Sequence, residues 1–387
     1  MLLNDKLAIR WQGSPFVARV STDPQRPMPF RSSEALILPT ECQECPSGFR
    51  AYLTRGGHSQ APRSCPTPMI RIPESLSYVR DGDIVVVRPE SGDIRVLYRK
   101  DAIHNSFLLT RSCNSFCVMC AQPPHKSLDH DSANLVFEAI RLVDINTPQI
   151  TFTGGEPTLL GRTLVDLIGK AKCFLPRTAL MILTNGRLLR YLSFAKDIAD
   201  VRHPDLRLGI PIYSDYSHEH DFIVQDKGAF DETAKGILNS ARYGLNVEIR
   251  IVITEHNYKA LPSLAEFIAR NFPFCCNVAL MGLEPIGFAK TNIREVWIDP
   301  VLYAAYLELA VQALQEHRLP TSIYNHQLCT LSPSLWRFAK QSISDWKNIY
   351  LDKCVQCSVR HQCCGFFASG QEIHSTAINP LTVDLLN

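Results

Sequence analysis

The sequence predicts an α/β fold: a partial (β/α)6 TIM barrel over residues 103–320, a small β-rich domain over 1–102 before it, and a cysteine-rich extension over 321–387 after it. Three observations predict it. Hydrophobic periodicity changes near residue 103, from strand-sized apolar runs broken by turns to strands alternating with amphipathic stretches. The strand-like runs of the second part recur every thirty to forty residues or so, the size of a right-handed βαβ crossover. The last sixty residues or so then lose this alternation and gather cysteines.

In the first domain the runs Leu7 to Ile9, Ala35 to Leu38, Ile84 to Val87 and Ile94 to Leu97 read as strands. Asp81-Gly82 and Ser91-Gly92 flank Asp83-Ile-Val-Val-Val-Arg88, which marks a hairpin. In the barrel, Phe107 to Leu109, Ile150 to Phe152, Leu180 to Leu183, Leu206 to Ile212, Val247 to Ile253 and Asn277 to Leu280 are strand-like. Leu135-Val136-Ala139-Ile140-Val143 and Ala234-Ile237-Leu238-Ala241 have helical spacing, the second closed by Gly244 as a C-cap. Periodicity alone also admits a flavodoxin-like open sheet.

Composition suits an intracellular enzyme. Hydrophobic residues make up 45% of the 387, enough for sizeable cores, and 40 basic against 38 acidic residues give no reason to expect a nucleic-acid partner. No stretch approaches the roughly 18 apolar residues of a membrane span, and Met-Leu-Leu-Asn-Asp-Lys lacks the regions of a secretory signal. A cytoplasmic location follows, and there 14 cysteines point to metal ligation more than to disulfides.

The cysteines carry the chemistry. In Cys113-Asn-Ser-Phe-Cys117-Val-Met-Cys120 the C-x3-C-x2-C spacing holds three irons of a [4Fe-4S] cubane and leaves the fourth without a protein ligand. The loop follows a strand, and Pro123-Pro124 opposes a helix, which puts it where a barrel enzyme keeps its site. A zinc knuckle is the alternative, though zinc ribbons favour paired C-x2-C units. Downstream, Thr153-Gly154-Gly155-Glu156-Pro157 leaves another strand. Its glycines let backbone approach a ligand, and its carboxylate can pair with an ammonium group.

These two runs resemble the radical S-adenosylmethionine (SAM) superfamily. The resemblance implies a [4Fe-4S] cluster whose open iron binds SAM, a Gly-Gly-Glu-Pro turn that meets the SAM amino group, and one-electron cleavage of SAM to a 5′-deoxyadenosyl radical that abstracts a hydrogen atom. Many relatives place an aromatic residue just before the third cysteine, against adenine; here it is Met119. The resemblance also places Thr184 or Asn185 near the ribose or carboxylate of SAM. It assigns Tyr213, Ser214 and Asp215 to the end of the fourth strand, and Arg250 points into the barrel if Ile249 and Ile251 point out.

A second metal pattern lies in the extension: Cys354-Val-Gln-Cys357, then Cys363-Cys364, with Cys329 upstream. Four thiolates from Cys329, Cys354, Cys357 and Cys363 suffice for an auxiliary [4Fe-4S] cluster or a zinc site, with Cys364 in reserve. Cys42, Cys45 and Cys65, with His58, form a weaker zinc-like group, and Cys173, Cys275 and Cys276 read as buried inert thiols.

At a narrower level Asn105 to Pro124, Val278 to Glu284, Tyr324 to Cys329, Ser342 to Asn348 and Cys363 to Phe367 resemble the HxsC-type maturases of the His-Xaa-Ser peptide system. Cys364 stands where that family has glycine. The resemblance implies a ribosomally made precursor peptide with His-Xaa-Ser repeats and a companion radical SAM maturase. An external reductant such as flavodoxin or ferredoxin would supply the electron. Glu284 and His326 are candidates for acid or base work on the substrate. The alternatives are a radical SAM enzyme acting on a small molecule, as a GTP cyclase does, and a metal-stabilised module that binds peptides without turnover.

Overall fold

The computed structural model describes residues 3–7, 11–39, 45–55, 69–125, 130–341 and 349–382. Cys42, Cys65, His58, Ile9 and the Ser342 to Asn348 run lie outside them. The chain divides into two compact units, one of residues 1–107, 130–150 and 169–178, the other of 108–129, 151–168 and 179–387.

The first unit holds a seven-stranded sheet of β1 (Asn4–Lys6), β2 (Phe16–Ser21), β3 (Glu34–Ile37), β4 (Ala51–Thr54), β5 (Met69–Arg71), β6 (Ile84–Arg88) and β7 (Asp93–Tyr98), in the order β1-β7-β6-β2-β3-β4-β5. The hairpin expected around Asp83 to Arg88 is β6 with β7, antiparallel with Val86 opposite Arg95. Ile84 to Val87 are all buried, which is why this strand reads as a continuous apolar run. The pairs β2–β3, β3–β4 and β4–β5 are parallel. The first strand pairs Asn4↔Arg95 and Lys6↔Asp93; of the expected run Leu7 to Ile9, Ala8 and Ile9 lie outside the described residues.

A second sheet runs β14-β13-β12-β11-β10-β9-β8, from β8 (His104–Thr110), β9 (Gln149–Gly154), β10 (Ala179–Leu183), β11 (Leu206–Pro211), β12 (Asn246–Ile253), β13 (Asn277–Gly282) and β14 (Thr321–Tyr324). The pairs from β10 to β14 are parallel, in sequential order. This is a parallel-sheet partial barrel. Six strands match the apolar runs; the seventh, β14, is four residues long and directly follows Pro320, too short to show a period of its own. Along β12, Val247, Ile249, Ile251 and Ile253 are buried, with Glu248 and Arg250 on the opposite face. Helix 229–242 ends as expected, with Gly244 at φ +72° and the Leu245 amide bonded to the Ser240 carbonyl at 3.0 Å. Among the described residues no helix is long and apolar enough to cross a membrane.

Candidate active site

The loop leaving β8 carries Cys113, Cys117 and Cys120 without forming a helix, and backbone bonds from two sides hold it. The Phe116 and Val118 amides bond the carbonyls of Val224 and Ile223 at 3.0 and 2.9 Å. On the other side Phe288 N reaches Cys120 O at 2.8 Å and Asn292 Nδ2 reaches Val118 O at 2.8 Å. Gly287 makes that second contact possible, since a Cβ there would lie 2.5 Å from Cys120 O.

The Gly154-Gly155 turn docks on the root of the same loop. Gly155 N bonds Thr110 O at 2.9 Å and Glu156 N bonds Ser112 O at 2.8 Å. A Cβ would stand 2.4 Å from Thr110 O at Gly154 and 2.2 Å from Ser112 O at Gly155. Close backbone approach therefore requires the glycines, and what approaches is the strand-end of β8. Pro157 opens the single helical turn 157–160, buried against it.

The Glu156 carboxylate is fully buried, which raises its pKa. It accepts from Thr158 N at 2.9 Å, from the Thr158 hydroxyl, from Thr184 Oγ1 at 2.6 Å and from Asn185 N at 2.6 Å. It thus staples the β9 turn to the end of β10. Thr184 is spent in the same staple, whereas Asn185 also reaches the cluster loop through Nδ2 to Asn114 Oδ1 at 2.7 Å.

Around the end of β11, Tyr213 is buried and stacks on His220, with ring centroids 5.7 Å apart. Ser214 donates to Glu219 Oε2 at 2.9 Å. Asp215 is half-buried and has no hydrogen bond or ion pair among the described residues, which leaves its carboxylate available to a ligand. Met119 packs in an apolar cluster with Tyr213, Ile223, Val224 and Val296. Arg250 shares the inner face of β12 with Glu248 and pairs with it at 2.7 Å, so the guanidinium is already partly neutralised.

Arg187 escaped the sequence reading. Its nearly buried guanidinium donates to Asn114 O, to Ser115 Oγ at 3.1 Å, to Asp226 Oδ2 at 2.7 Å and through Nε to Glu232 Oε2 at 2.7 Å. It ties the Cys113–Cys117 spacer to the start of helix 229–242. Its acidic partners lie about forty residues away, so nothing local distinguishes it from a surface arginine.

In the extension, Cys329, Cys354, Cys357 and Cys363 line one pocket of about 340 Å³ with its mouth. Cys364 is buried outside it, with Sγ donating to His326 O at 3.1 Å and Gly365 O at 3.2 Å. The adjacent thiol draws Cys363 down to about 6. His326 bonds Tyr324 O through Nδ1 and the Tyr303 hydroxyl through Nε2, both at 2.8 Å, so neither nitrogen is free for proton transfer. Glu284 has a partner as well. Cys45 is disulfide-bonded, so the expected N-terminal group does not stand as three free thiols. Cys275 is buried, whereas Cys173 is exposed and Cys276 half-buried.

Among the described residues no three His, Cys, Asp or Glu side chains converge closely enough to hold a single metal ion. Burial pushes Cys113 and Cys117 up to about 12, so these groups become thiolates when a cation takes the proton's place.

Residues 107–268 match the profile of the Radical SAM superfamily. The chain carries a radical SAM domain. That domain implies a [4Fe-4S] cluster, which Cys113, Cys117 and Cys120 would hold, and SAM beside it. Curated relatives include an Fe-coproporphyrin III synthase of Methanosarcina barkeri, 27% identical over 41% of this chain and 39% of that protein. Another is a probable GTP 3′,8-cyclase of Methanopyrus kandleri, 26% identical over 46% of this chain and 55% of that protein. The chain thus spans about two fifths to just over half the length of these relatives. Among solved structures, Streptococcus suis SuiB bound to SAM aligns at TM-score 0.48 and 14% identity over 61% of this chain and 53% of that one.

Proposed function

We propose that this protein is a radical SAM enzyme that modifies a ribosomally made peptide of the His-Xaa-Ser repeat type by hydrogen-atom abstraction. The observation that carries the reading is the gathering of Cys329, Cys354, Cys357 and Cys363 around one pocket, beyond the residues of the radical SAM domain. Such a pocket suits an auxiliary [4Fe-4S] cluster that accepts an electron from the substrate radical or positions the peptide. The runs that resemble the HxsC-type maturases support the peptide class. When bound, the first cluster and SAM supply the 5′-deoxyadenosyl radical; the protein's part is aim and shielding.

The residues divide that part between them. The 287–292 and 223–224 segments fix the cluster loop, the Glu156 staple fixes the turn beside it, and Asp215 and Asn185 offer polar groups to SAM. A companion maturase and an external flavodoxin- or ferredoxin-type reductant complete the proposed system, in the cytoplasm. The second reading, a small-molecule substrate, is favoured by the GTP cyclase among the relatives.

Anaerobic co-expression with a His-Xaa-Ser repeat peptide, with and without Cys113→Ala, tests the proposal by tandem mass spectrometry. The expected result is a mass change on the peptide that the variant abolishes. An unaltered peptide together with consumption of GTP by the purified protein would transfer the case to the second reading.

A further inference from the structure

A second cavity, separate from the four-thiol pocket, opens at the ends of β13 and β14 and, counted together with the solvent at its mouth, spans about 620 Å³. One wall is the segment 282–300, which also carries Gly287 and Phe288 against the carbonyl of Cys120. The facing wall is 364–375, which follows directly on Cys363 of the four-thiol pocket. The cavity is therefore bounded by chain segments that lead to each thiol set, with Cys363 facing one pocket and Cys364 the other.

Trp297, Tyr303, Phe366, Phe367 and Ile373 stand in its lining among neutral polar groups, and no Asp, Glu, Lys or Arg lines it among the described residues. The polar groups are amides already half used. Asn325 donates Nδ2 to Gly282 O at 3.1 Å, and Gln327 donates Nε2 to Gly365 O at 2.8 Å. Each amide keeps its oxygen, an acceptor for ligand N–H groups, and the second hydrogen of its NH2 as an uncharged donor. His374 is likewise bonded to Gly370 O at 3.0 Å and packs edge-on against Phe366. A triphosphate or a polycarboxylate requires charge-assisted donors, and the lining provides no Lys or Arg.

We propose that this cavity receives an uncharged aromatic or aliphatic side chain of the peptide substrate and rejects anionic ligands. The inference rests on the peptide reading above and adds to it the chemical class of the residue presented between the two thiol sets. The lining acceptors would hold the backbone N–H groups that flank that residue.

The test is photolabelling of the anaerobically reconstituted full chain with N-acetyl-p-benzoylphenylalaninamide, a neutral aromatic probe, followed by peptide mapping. Labels are expected in segments 297–303 and 364–375, competed by excess N-acetyl-leucinamide and unaffected by GTP. Ile373→Glu, which puts a carboxylate on a half-exposed lining residue, is expected to lower labelling at least fivefold at unchanged iron content, and Ile373→Val to preserve it. Labels mapping elsewhere, competition by GTP, or full labelling of an iron-loaded Ile373→Glu protein would overturn the proposal. Cavity labelling without any peptide modification in the co-expression experiment would sink the peptide reading alone. Peptide modification without cavity labelling would sink this inference alone.

Discussion

His220 and His326 illustrate how single residues support the site without touching a ligand. Burial lowers each imidazole to about 4. The neutral His220 ring accepts the Tyr213 amide at 3.2 Å, and His326 bridges β14 to Tyr303. Because the folded values lie below the ordinary 6.5, the unfolded chain binds these protons first. Their contribution is therefore fully present above pH 6.5 and is lost as pH falls towards 4, by about 3 kcal/mol each at the limit. Urea denaturation across this range should show stability falling with acidification, and His220→Asn, which retains an acceptor for Tyr213 N, should give a visibly shallower slope. Parallel curves would contradict the assignment. None of this was legible in the sequence, where a buried histidine looks like any other. The same holds for Glu156: its motif marked an important carboxylate, and the fold adds its hydrogen bonds from Thr158, Thr184 and Asn185.

At the scale of elements, two cysteine-bearing segments stood out from spacing, because thiolate ligation imposes it. The strands were readable where burial imposed a pattern, as in β12 and β6. The parallel half of the first sheet was not, since strand direction depends on long-range pairing that leaves no local signature. The preference for Cys363 over Cys364 came from the sequence, and in the fold Cys363 lines the four-thiol pocket while Cys364 lies outside it, just before Gly365 at φ +66°. The extension predicts a metal count. Reconstituted protein should contain about eight irons per chain, and Cys354→Ala about four, with SAM-dependent spectral changes retained. Zinc in place of the second four irons would make the four-thiol pocket a structural site instead.

At the scale of the molecule, residues 107–268 match the radical SAM profile, and the chain divides into two compact units. The unit boundaries do not follow sequence order, because residues 130–150 and 169–178 pack with the first unit although they belong to the barrel's crossover segments. Contiguous boundaries are what periodicity can see; packing across the chain is not. The three-thiol loop after β8 is held by Phe288, Asn292 and Arg187, and its cysteines would leave one iron of a [4Fe-4S] cluster to SAM.

The most direct test is 5′-deoxyadenosine formation from SAM by the anaerobically reconstituted, dithionite-reduced protein, compared with Cys117→Ala. The account predicts 5′-deoxyadenosine from the parent protein and a drop of at least a hundredfold in the variant. Absence of 5′-deoxyadenosine from iron-loaded parent protein, or equal amounts from both, would contradict it.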